Sequence, residues 1–455
     1  MQRLLTALTL ACLWFTQAVA APDLPFRRFA LDNGLVVIFH EDHSAPLVAV
    51  NLAYRVGSKD EAPGRTGFAH LFEHLMFMGT SRVPRGAFDS WMEAQGAWNN
   101  AWTSEDLTDY YEVGPSHALP LLLWLEADRM QMLGGQIDRT KLDLQRDVVR
   151  NERRQTSENT PYGLVELELP KLLFPVGHPY YHPVIGSHED LQAASVDDVR
   201  QFFAEHYVPS NASLLIAGDF DPVATEAQVR ALFGPLPSPP ARPRPRPMTP
   251  EPAAVRAPTI VEDRVDQPRA HFAWQTPAYF EQDDAALTLL ASILAGGKAS
   301  RFERALVYDQ GLAQDVGASQ ASGTLVSRFV VHATAREGVT VERLEAALNA
   351  VLTEVALKGV TQQELDRARS GFETQTLLGL QPVLDRASTL NLYQALKGDP
   401  GLLGADLERY RKVTTREVSE VAERWLTAAR RATLRVVPKA APPTSSAPNQ
   451  KAGEQ

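Results

Sequence analysis

The sequence of 455 residues contains a single cysteine, Cys12, which lies in its first twenty residues. The rest of the chain therefore has no disulfide bond, and its stability must come from packed cores. Lysine and arginine form no long run and the net charge is −10, which argues against a nucleic-acid-binding protein. Beyond the first segment no apolar stretch approaches the ~20 residues of a spanning helix, so we expect no stable membrane insertion.

The first twenty residues have the pattern of an export signal. Arg3 precedes an apolar run over residues 4–15, and Ala18 and Ala20 are small residues at the two positions that signal peptidase reads. That run is too short for a spanning helix, which needs about 20 residues. We predict a signal peptide over 1–20 and a mature protein in the bacterial periplasm or outside the cell. An uncleaved N-terminal anchor is the alternative.

A proline-rich segment divides the remaining chain into two pieces of similar length. Ten of the 25 residues in 234–258 are proline, which favours an extended, solvated polyproline II linker. The pieces on either side are 21–233 and 259–437. The last residues, 438–455, lack large apolar side chains and are predicted to form a disordered tail.

The two pieces resemble distant repeats. Ser195 and Thr414 each precede a helical stretch with an acidic residue three positions later, which is the pattern of a helix N-cap, and a strand-like run follows each helix. Strand-like runs followed by successive helices favour an α+β fold. We predict two homologous halves, each an antiparallel-rich sheet covered by helices. Two unrelated halves of similar size are the alternative.

The sharpest chemical signal is the pattern H-x-x-E-H formed by His70, Glu73 and His74. Histidines at positions i and i+4 of a helix share one face, so both imidazoles can reach one zinc ion. Glu73 lies on the same side and can act on a zinc-activated water without being a ligand, as in the inverted form of the H-E-x-x-H helix. A buried pair of histidines beside a surface glutamate is the structural alternative.

A catalytic zinc ion needs a third protein ligand besides water. A helix predicted over 140–155 carries Asp147 and Glu152, and Glu158 follows it. The spacing alone does not choose among these three carboxylates.

At this point the sequence resembles the pitrilysin/insulinase family of zinc peptidases, most closely the branch of the mitochondrial processing peptidase and its short bacterial relatives. In that family a glutamate about 75–80 residues after the second histidine completes the site. Glu152 lies 78 residues after His74. The resemblance therefore implies one Zn²⁺ per chain, held by His70, His74 and Glu152, with Glu73 as the general base.

The resemblance also implies residues that bind the substrate. Asn100 and Ala101, in the run Asn-Asn-Ala-Trp-Thr, resemble the family's strand beside the metal. In the second half, Arg301 follows a Gly-Gly turn and resembles the arginine that opens a helix there. That half has no H-x-x-E-H pattern, so we expect a single metal site.

Two positions depart from the family pattern. Gln145 stands where many relatives have a supporting glutamate, and Gln314 stands where we expect the tyrosine of a substrate-binding Arg/Tyr pair. The second departure suggests a homodimer, or a heterodimer with a related chain that supplies the pair.

These observations predict an exported zinc metalloendopeptidase. A zinc-activated water would be the nucleophile, Glu73 the general base, and short or unfolded polypeptides the substrates. A non-catalytic or partner-dependent scaffold subunit of a peptidase complex is the alternative, because a fold does not imply an activity.

Overall fold

The computed structural model describes residues 24–439. The predicted signal peptide and the predicted tail beyond Lys439 lie outside the described residues. The strands are β1 (Arg27–Ala30), β2 (Val36–Glu41), β3 (Leu47–Tyr54), β4 (Trp98–Thr103), β5 (Thr108–Pro115), β6 (Ala212–Gly218), β7 (Thr259–Asp263), β8 (Arg269–Thr276), β9 (Ala313–Ala321), β10 (Ser327–Ala335) and β11 (Ala432–Pro438). The α-helices are α1 (Phe68–Leu75), α2 (Ala87–Ala94), α3 (Leu119–Gln136), α4 (Arg139–Arg153), α5 (Leu164–Leu173), α6 (His188–Ala193), α7 (Val196–His206), α8 (Pro222–Phe233), α9 (Asp284–Ala295), α10 (Val341–Lys358), α11 (Gln362–Gly379), α12 (Val383–Lys397), α13 (Leu403–Lys412) and α14 (Thr415–Trp425).

The two sheets repeat one topology, which confirms the prediction of two homologous α+β halves. The first sheet has the order β1-β2-β6-β3-β5-β4, and the second has the order β7-β11-β8-β10-β9. Apart from the added edge strand β1, the two orders match strand for strand, with β2, β6, β3, β5 and β4 corresponding to β7, β11, β8, β10 and β9. In each sheet the strands that come first and last along the chain, β1 aside, pair in parallel: β2 with β6, and β7 with β11. The remaining pairs are antiparallel.

The repeated helices before the central strands begin as the sequence predicts. Ser195 and Asp198 form a capping box at the start of α7, and Thr414 and Glu417 form one at the start of α14. In each pair the hydroxyl accepts the backbone N–H of the acid, and the carboxylate accepts the backbone N–H of the cap residue, so two unpaired helical N–H groups are satisfied.

One face of each sheet packs against helices of its own half, and the opposite face is covered by a helix from the other half. Alternate residues of β3 point to opposite faces. Val50 and Leu52 pack in the core of the first half, whereas Ala49 packs against Ala387 and Leu390 of α12. The exchange is reciprocal, because α5 of the first half packs on β8 and β11 of the second sheet. Separating the halves would therefore expose an apolar face on both sheets.

The proline-rich segment 234–258 contains no helix or strand, but it is more firmly held than a solvated linker. The backbone N–H of Ala253 donates to the carbonyl oxygen of Arg430, and that of Val255 donates to the carbonyl of Leu172, each at 2.9 Å. Arg244 donates to the carbonyl oxygens at the end of α12. No helix within residues 24–439 is long and apolar enough to cross a membrane.

Asn391 is the polar centre of the contact between α12 and the first sheet. Its buried amide donates to the backbone carbonyls of Asn51 and Ser213, both at 3.1 Å, and its oxygen accepts from the Ser213 hydroxyl. We expect Asn391→Ala to lower the free energy of unfolding by about 2–3 kcal/mol, because buried polar groups lose their partners. Urea unfolding followed by circular dichroism measures this change.

The matched control is Ser388→Ala on the same helix, whose hydroxyl accepts only a long 3.5 Å contact from Asn51. This variant should unfold close to the wild-type urea concentration. If the two variants were equally stable, the assigned role of Asn391 would be wrong.

Candidate metal centre

A glycine and a buried carboxylate fix the first turn of α1. Gly67 precedes the helix with a φ of 89°, and a Cβ atom there would lie 2.9 Å from the carbonyl oxygen of Ile185. Glycine alone tolerates both conditions. The Glu61 carboxyl group accepts the backbone N–H groups of Gly67 at 2.9 Å and Ala69 at 2.8 Å, which satisfies two backbone donors at the start of the helix. These contacts fix the position and direction of the start of α1, and therefore the side chains of the turn that follows.

The turn that follows brings two histidines to one carboxylate. His70 and His74 place their Nε2 atoms 3.4 Å apart. Glu152, near the end of α4, places its carboxylate oxygens 3.6 Å from Nε2 of His70 and 3.2 Å from Nε2 of His74. Among the described residues, this is the one group of three or more His, Cys, Asp or Glu side chains close enough to hold a metal ion.

The spacing and chemistry of these three donors fit zinc. Zinc–nitrogen and zinc–oxygen bonds of about 2.0–2.2 Å in a tetrahedron place neighbouring ligand atoms roughly 3.3–3.5 Å apart. The Nε2–Nε2 separation of 3.4 Å lies in that range. Oε1 of Glu152 lies 3.6 Å from His70 Nε2 and Oε2 lies 3.2 Å from His74 Nε2, so each histidine is near a different oxygen of the same carboxylate. Two imidazoles with one carboxylate also form a set typical of catalytic zinc, with a fourth position left for water.

The electrostatics favour the protonation states that a metal requires. Burial, together with the neighbouring His74, lowers the pKa of His70 to about 4, so its imidazole is neutral at pH 7. The hydrogen bond with His74 is the main factor that lowers the pKa of Glu152, so this carboxylate is ionised. A neutral imidazole and an anionic carboxylate are the forms that bind metal.

Glu73 lies between the histidines in sequence but does not join their cluster. Its Oε2 accepts a hydrogen bond from the hydroxyl of Thr103 on β4 at 2.6 Å. Burial raises the pKa of Glu73, and the bond from Thr103 partly opposes that rise. The carboxylate is therefore held in place beside the cluster, with a proton affinity above that of an exposed glutamate.

A cavity of about 510 Å³ opens in front of these groups. His70, Glu73 and Glu152 line it together with Ala101 and Thr103 of β4. Its apolar wall comes from α5 and the segment before α6, through the residues Val165, Leu169, Pro170, Leu173, Pro183, Val184 and Ile185. The cavity thus combines one wall that carries the candidate metal-binding residues with one apolar wall, as is common in small-molecule and peptide sites.

The two predicted substrate-binding residues of the first half lie on an edge strand. β4 pairs with β5 and forms the edge of the first sheet. Ala101 lines the cavity, whereas Asn100 is exposed and its side-chain oxygen accepts the backbone N–H of Ala101 at 2.9 Å.

Arg301 is not brought to this cavity. Its guanidinium donates to both carboxylate oxygens of Glu364, at 2.8 and 2.9 Å, and to the carbonyl of Gly359 at 2.9 Å. These partners lie at the start of α11, within the second half. The arginine joins two elements of that half in this conformation, and its role towards a substrate stays a prediction.

Three residues at the site, Thr103, Glu105 and Arg328, were not among the predicted site residues. Thr103 holds Glu73, and Arg328 of β10 reaches the cavity from the second half, where it pairs with Glu105 at 2.8 Å. A lone arginine in a strand carries no sequence signal of its function. Thr103 ends the run Asn-Asn-Ala-Trp-Thr singled out in the sequence, but its hydrogen bond to Glu73 depends on the packing of β4 against α1.

Models of known protein families match two parts of the chain. The model described as "Insulinase (Peptidase family M16)" matches residues 36–175, and the model described as "Peptidase M16 inactive domain" matches residues 193–372. All three residues of the metal cluster, and Glu73, fall within the first match.

Individual relatives resemble the chain across both halves. "Zinc protease PqqE" of Helicobacter pylori is 29% identical over 378 residues, which cover 82% of this chain and 84% of that protein. "Probable mitochondrial-processing peptidase subunit beta" of Arabidopsis thaliana is 24% identical over 381 residues, covering 81% of this chain and 70% of that protein. The crystal structure of a protease from Helicobacter pylori matches with a TM-score of 0.84 at 25% identity, over 91% of this chain and 99% of that one.

The geometry predicts that Glu152 and a nearby acid on the same helix differ sharply in metal binding. We expect Glu152→Gln to weaken zinc binding by more than the ~10- to 100-fold that loss of an outer-shell partner costs, because an anionic donor is lost. Asp147→Asn, which removes an exposed carboxylate from α4, should leave the affinity unchanged. Competition with a zinc-sensitive dye measures both affinities. Equal affinities for the two variants would remove Glu152 from the site.

Proposed function

Because the chain belongs to the pitrilysin/insulinase family of zinc peptidases, we propose that it is an exported zinc metalloendopeptidase acting on short or unfolded polypeptides. The observation that carries this proposal is the convergence of His70, His74 and Glu152 on one point, with Glu73 beside them and a cavity in front.

The proposed chemistry divides between the metal and one glutamate. Zinc held by His70, His74 and Glu152 would polarise the scissile carbonyl and acidify the attacking water. Glu73 accepts a proton from that water at its carboxylate and passes it to the leaving amine nitrogen. The hydrogen bond from Thr103 holds the Glu73 carboxylate in position, and its raised pKa suits a group that must take up and release a proton.

We propose that the peptide backbone pairs with the open edge of β4. An edge strand offers unpaired N–H and C=O groups along one side, which an extended peptide can satisfy. In this arrangement Ala101 lies where the scissile region passes the metal, and Asn100 braces the strand through its bond to the Ala101 N–H. Most segments of a folded protein already have their backbone groups paired or packed, which favours short or unfolded substrates.

We further propose that the chain works with a second subunit, a second copy or a related chain. The relative from Arabidopsis thaliana is named as a subunit, and in this chain Gln314 occupies the position where a substrate-binding tyrosine is expected. The partner would supply an Arg/Tyr pair to the substrate. The signal-like segment 1–20 supports a periplasmic or secreted location.

The alternative of a non-catalytic scaffold subunit predicts a different result in one experiment. We expect the zinc-loaded wild-type chain to cleave an unstructured peptide library, and Glu73→Gln to lose about 10²- to 10⁴-fold in rate because the proton acceptor is gone. Zinc content should be equal in both, since Glu73 is not a ligand. Glu93→Gln, an exposed glutamate of α2, is the matched control.

Mass spectrometry of the products and metal analysis of the same samples give the readout. If the wild type carries zinc but cleaves nothing, alone or with a related chain added, the scaffold alternative stands. If Glu73→Gln cleaves at the wild-type rate, another residue is the base.

Thr103→Val tests how the base is tuned. The substitution keeps the shape of the side chain but removes the hydroxyl that lowers the pKa of Glu73, so this pKa rises further. The proton-accepting carboxylate then forms at higher pH, and the acidic limb of the kcat/KM profile should move upward in pH. Thr156→Val is the control, because its hydroxyl donates to the backbone carbonyl of Glu152 instead. An unmoved acidic limb in Thr103→Val would contradict this role.

A further inference from the structure

A second cavity adjoins the metal cavity and contains none of the metal ligands. Its volume is about 340 Å³, and it shares Trp102, Glu105 and Arg328 with the metal cavity. These three side chains form the border between the two spaces. Because Trp102 and Glu105 come from the first half and Arg328 from the second, the border lies where the halves meet.

The walls of this second cavity are mainly apolar and come from both halves. They include Leu107, Phe174 and Tyr180 of the first half and Tyr279, Val326, Leu392 and Leu396 of the second. An apolar side chain of a bound peptide would be buried here against aromatic and aliphatic groups, which favours its transfer out of water.

The polar groups at the rim already have partners. Asp106 accepts hydrogen bonds from the Tyr180 hydroxyl and from the backbone N–H of Thr324, both at 2.8 Å. Glu105 and Arg328 neutralise each other at 2.8 Å. A charged side chain entering the cavity would lose water without finding a free opposite charge, so the cavity disfavours it.

The edge strand β4 contributes residues to both cavities: Ala101, Trp102 and Thr103 line the metal cavity, and Trp102 also lines the second cavity. Trp98 and Trp102 lie on one face of β4, 51% and 38% exposed, which is unusually open for tryptophan. Thr103 lies on the other face, where it contacts Glu73. A peptide paired with this edge directs its side chains alternately to these same two faces. When the peptide backbone lies beside Glu73, every second peptide side chain lies on the face of Trp102, which borders the second cavity.

We propose that the second cavity is a specificity pocket for a large apolar side chain, aromatic or leucine-like, of a peptide bound along β4. The inference rests on the proposed peptidase function and adds to it the substrate class. Trp102 forms the wall between the reacting bond and the pocket, and the Glu105–Arg328 pair excludes charged side chains from it.

The test fills the pocket and measures which peptides are cleaved. Decapeptide libraries with Phe, Leu, Ala, Lys or Asp fixed at each position in turn are given to the zinc-loaded chain. We expect one position where Phe or Leu exceeds Ala and the charged residues by tenfold or more in kcat/KM. Leu392→Trp, and separately Ala321→Phe on the exposed rim, should reduce that preference to less than threefold while Ala peptides are cleaved at similar rates.

Leu357→Trp is the matched control, because it adds the same bulk to an exposed site on α10, behind the second sheet. Thermal unfolding of each variant shows whether it is folded. Two independent substitutions keep the test decisive even if one of them unfolds the chain.

A binding measurement separates failure of this inference from failure of the peptidase proposal. Fluorescence anisotropy of a dye-labelled Phe peptide and its Ala counterpart is measured on zinc-loaded Glu73→Gln, with and without Leu392→Trp. Cleavage or binding without an apolar preference overturns the pocket and leaves the peptidase proposal intact. An apolar preference in binding that Leu392→Trp removes, with no cleavage by the wild type, supports the pocket and overturns the activity. If the wild type is a dimer and Leu392→Trp a monomer, another chain fills the cavity and the pocket assignment is wrong.

Discussion

The candidate metal centre depends on the packing of α1 against α4, because its three donor atoms come from two helices that are far apart in the chain. Two imidazole nitrogens lie 3.4 Å apart, and the two oxygens of the Glu152 carboxylate lie 3.6 Å from one nitrogen and 3.2 Å from the other. Such a cluster forms only if the surrounding structure determines the helix positions. Glu61 fixes the start of α1, and a π-helical turn after α4 is closed by Glu158, which binds both Arg153 at 2.8 Å and His188 at 2.9 Å.

The same packing couples the metal centre to the contact between the halves. α5 follows α4 and crosses to the second sheet, while its residues also line the metal cavity. α12 makes the reciprocal crossing, and its Leu392 and Leu396 line the second cavity. Each half thus supplies walls to spaces that face the other half. The Glu105–Arg328 pair joins the turn after β4 to β10 between those spaces. Because His70, His74 and Glu152 all belong to the first half, movement of one half against the other would change the walls of both cavities but not the arrangement of these three residues.

Local patterns in the sequence were enough for the start of two helices and for part of the site. The capping boxes at Ser195 and Thr414 were predictable because the cap and its acid are three residues apart. The pairing of His70 with His74 follows from the helical repeat alone. Glu152 was different, because spacing left Asp147 and Glu158 open and only a family resemblance chose between them. Asp147 is exposed on α4, a fact that depends on how that helix packs.

The sequence by itself determined the placing of His70, Glu73 and His74 on one side of a helix, because that depends on spacing within a short segment. It indicated the α+β class and the two related halves through local patterns that recur in both pieces. Tertiary structure alone decided that Arg301 is paired with Glu364 rather than placed at the cavity, and that Arg328 reaches it instead. It also decided that helices cross between halves. These features arise from contacts between residues more than sixty positions apart, whose geometry is set by the packing of whole sheets and helices and leaves no local pattern in the chain.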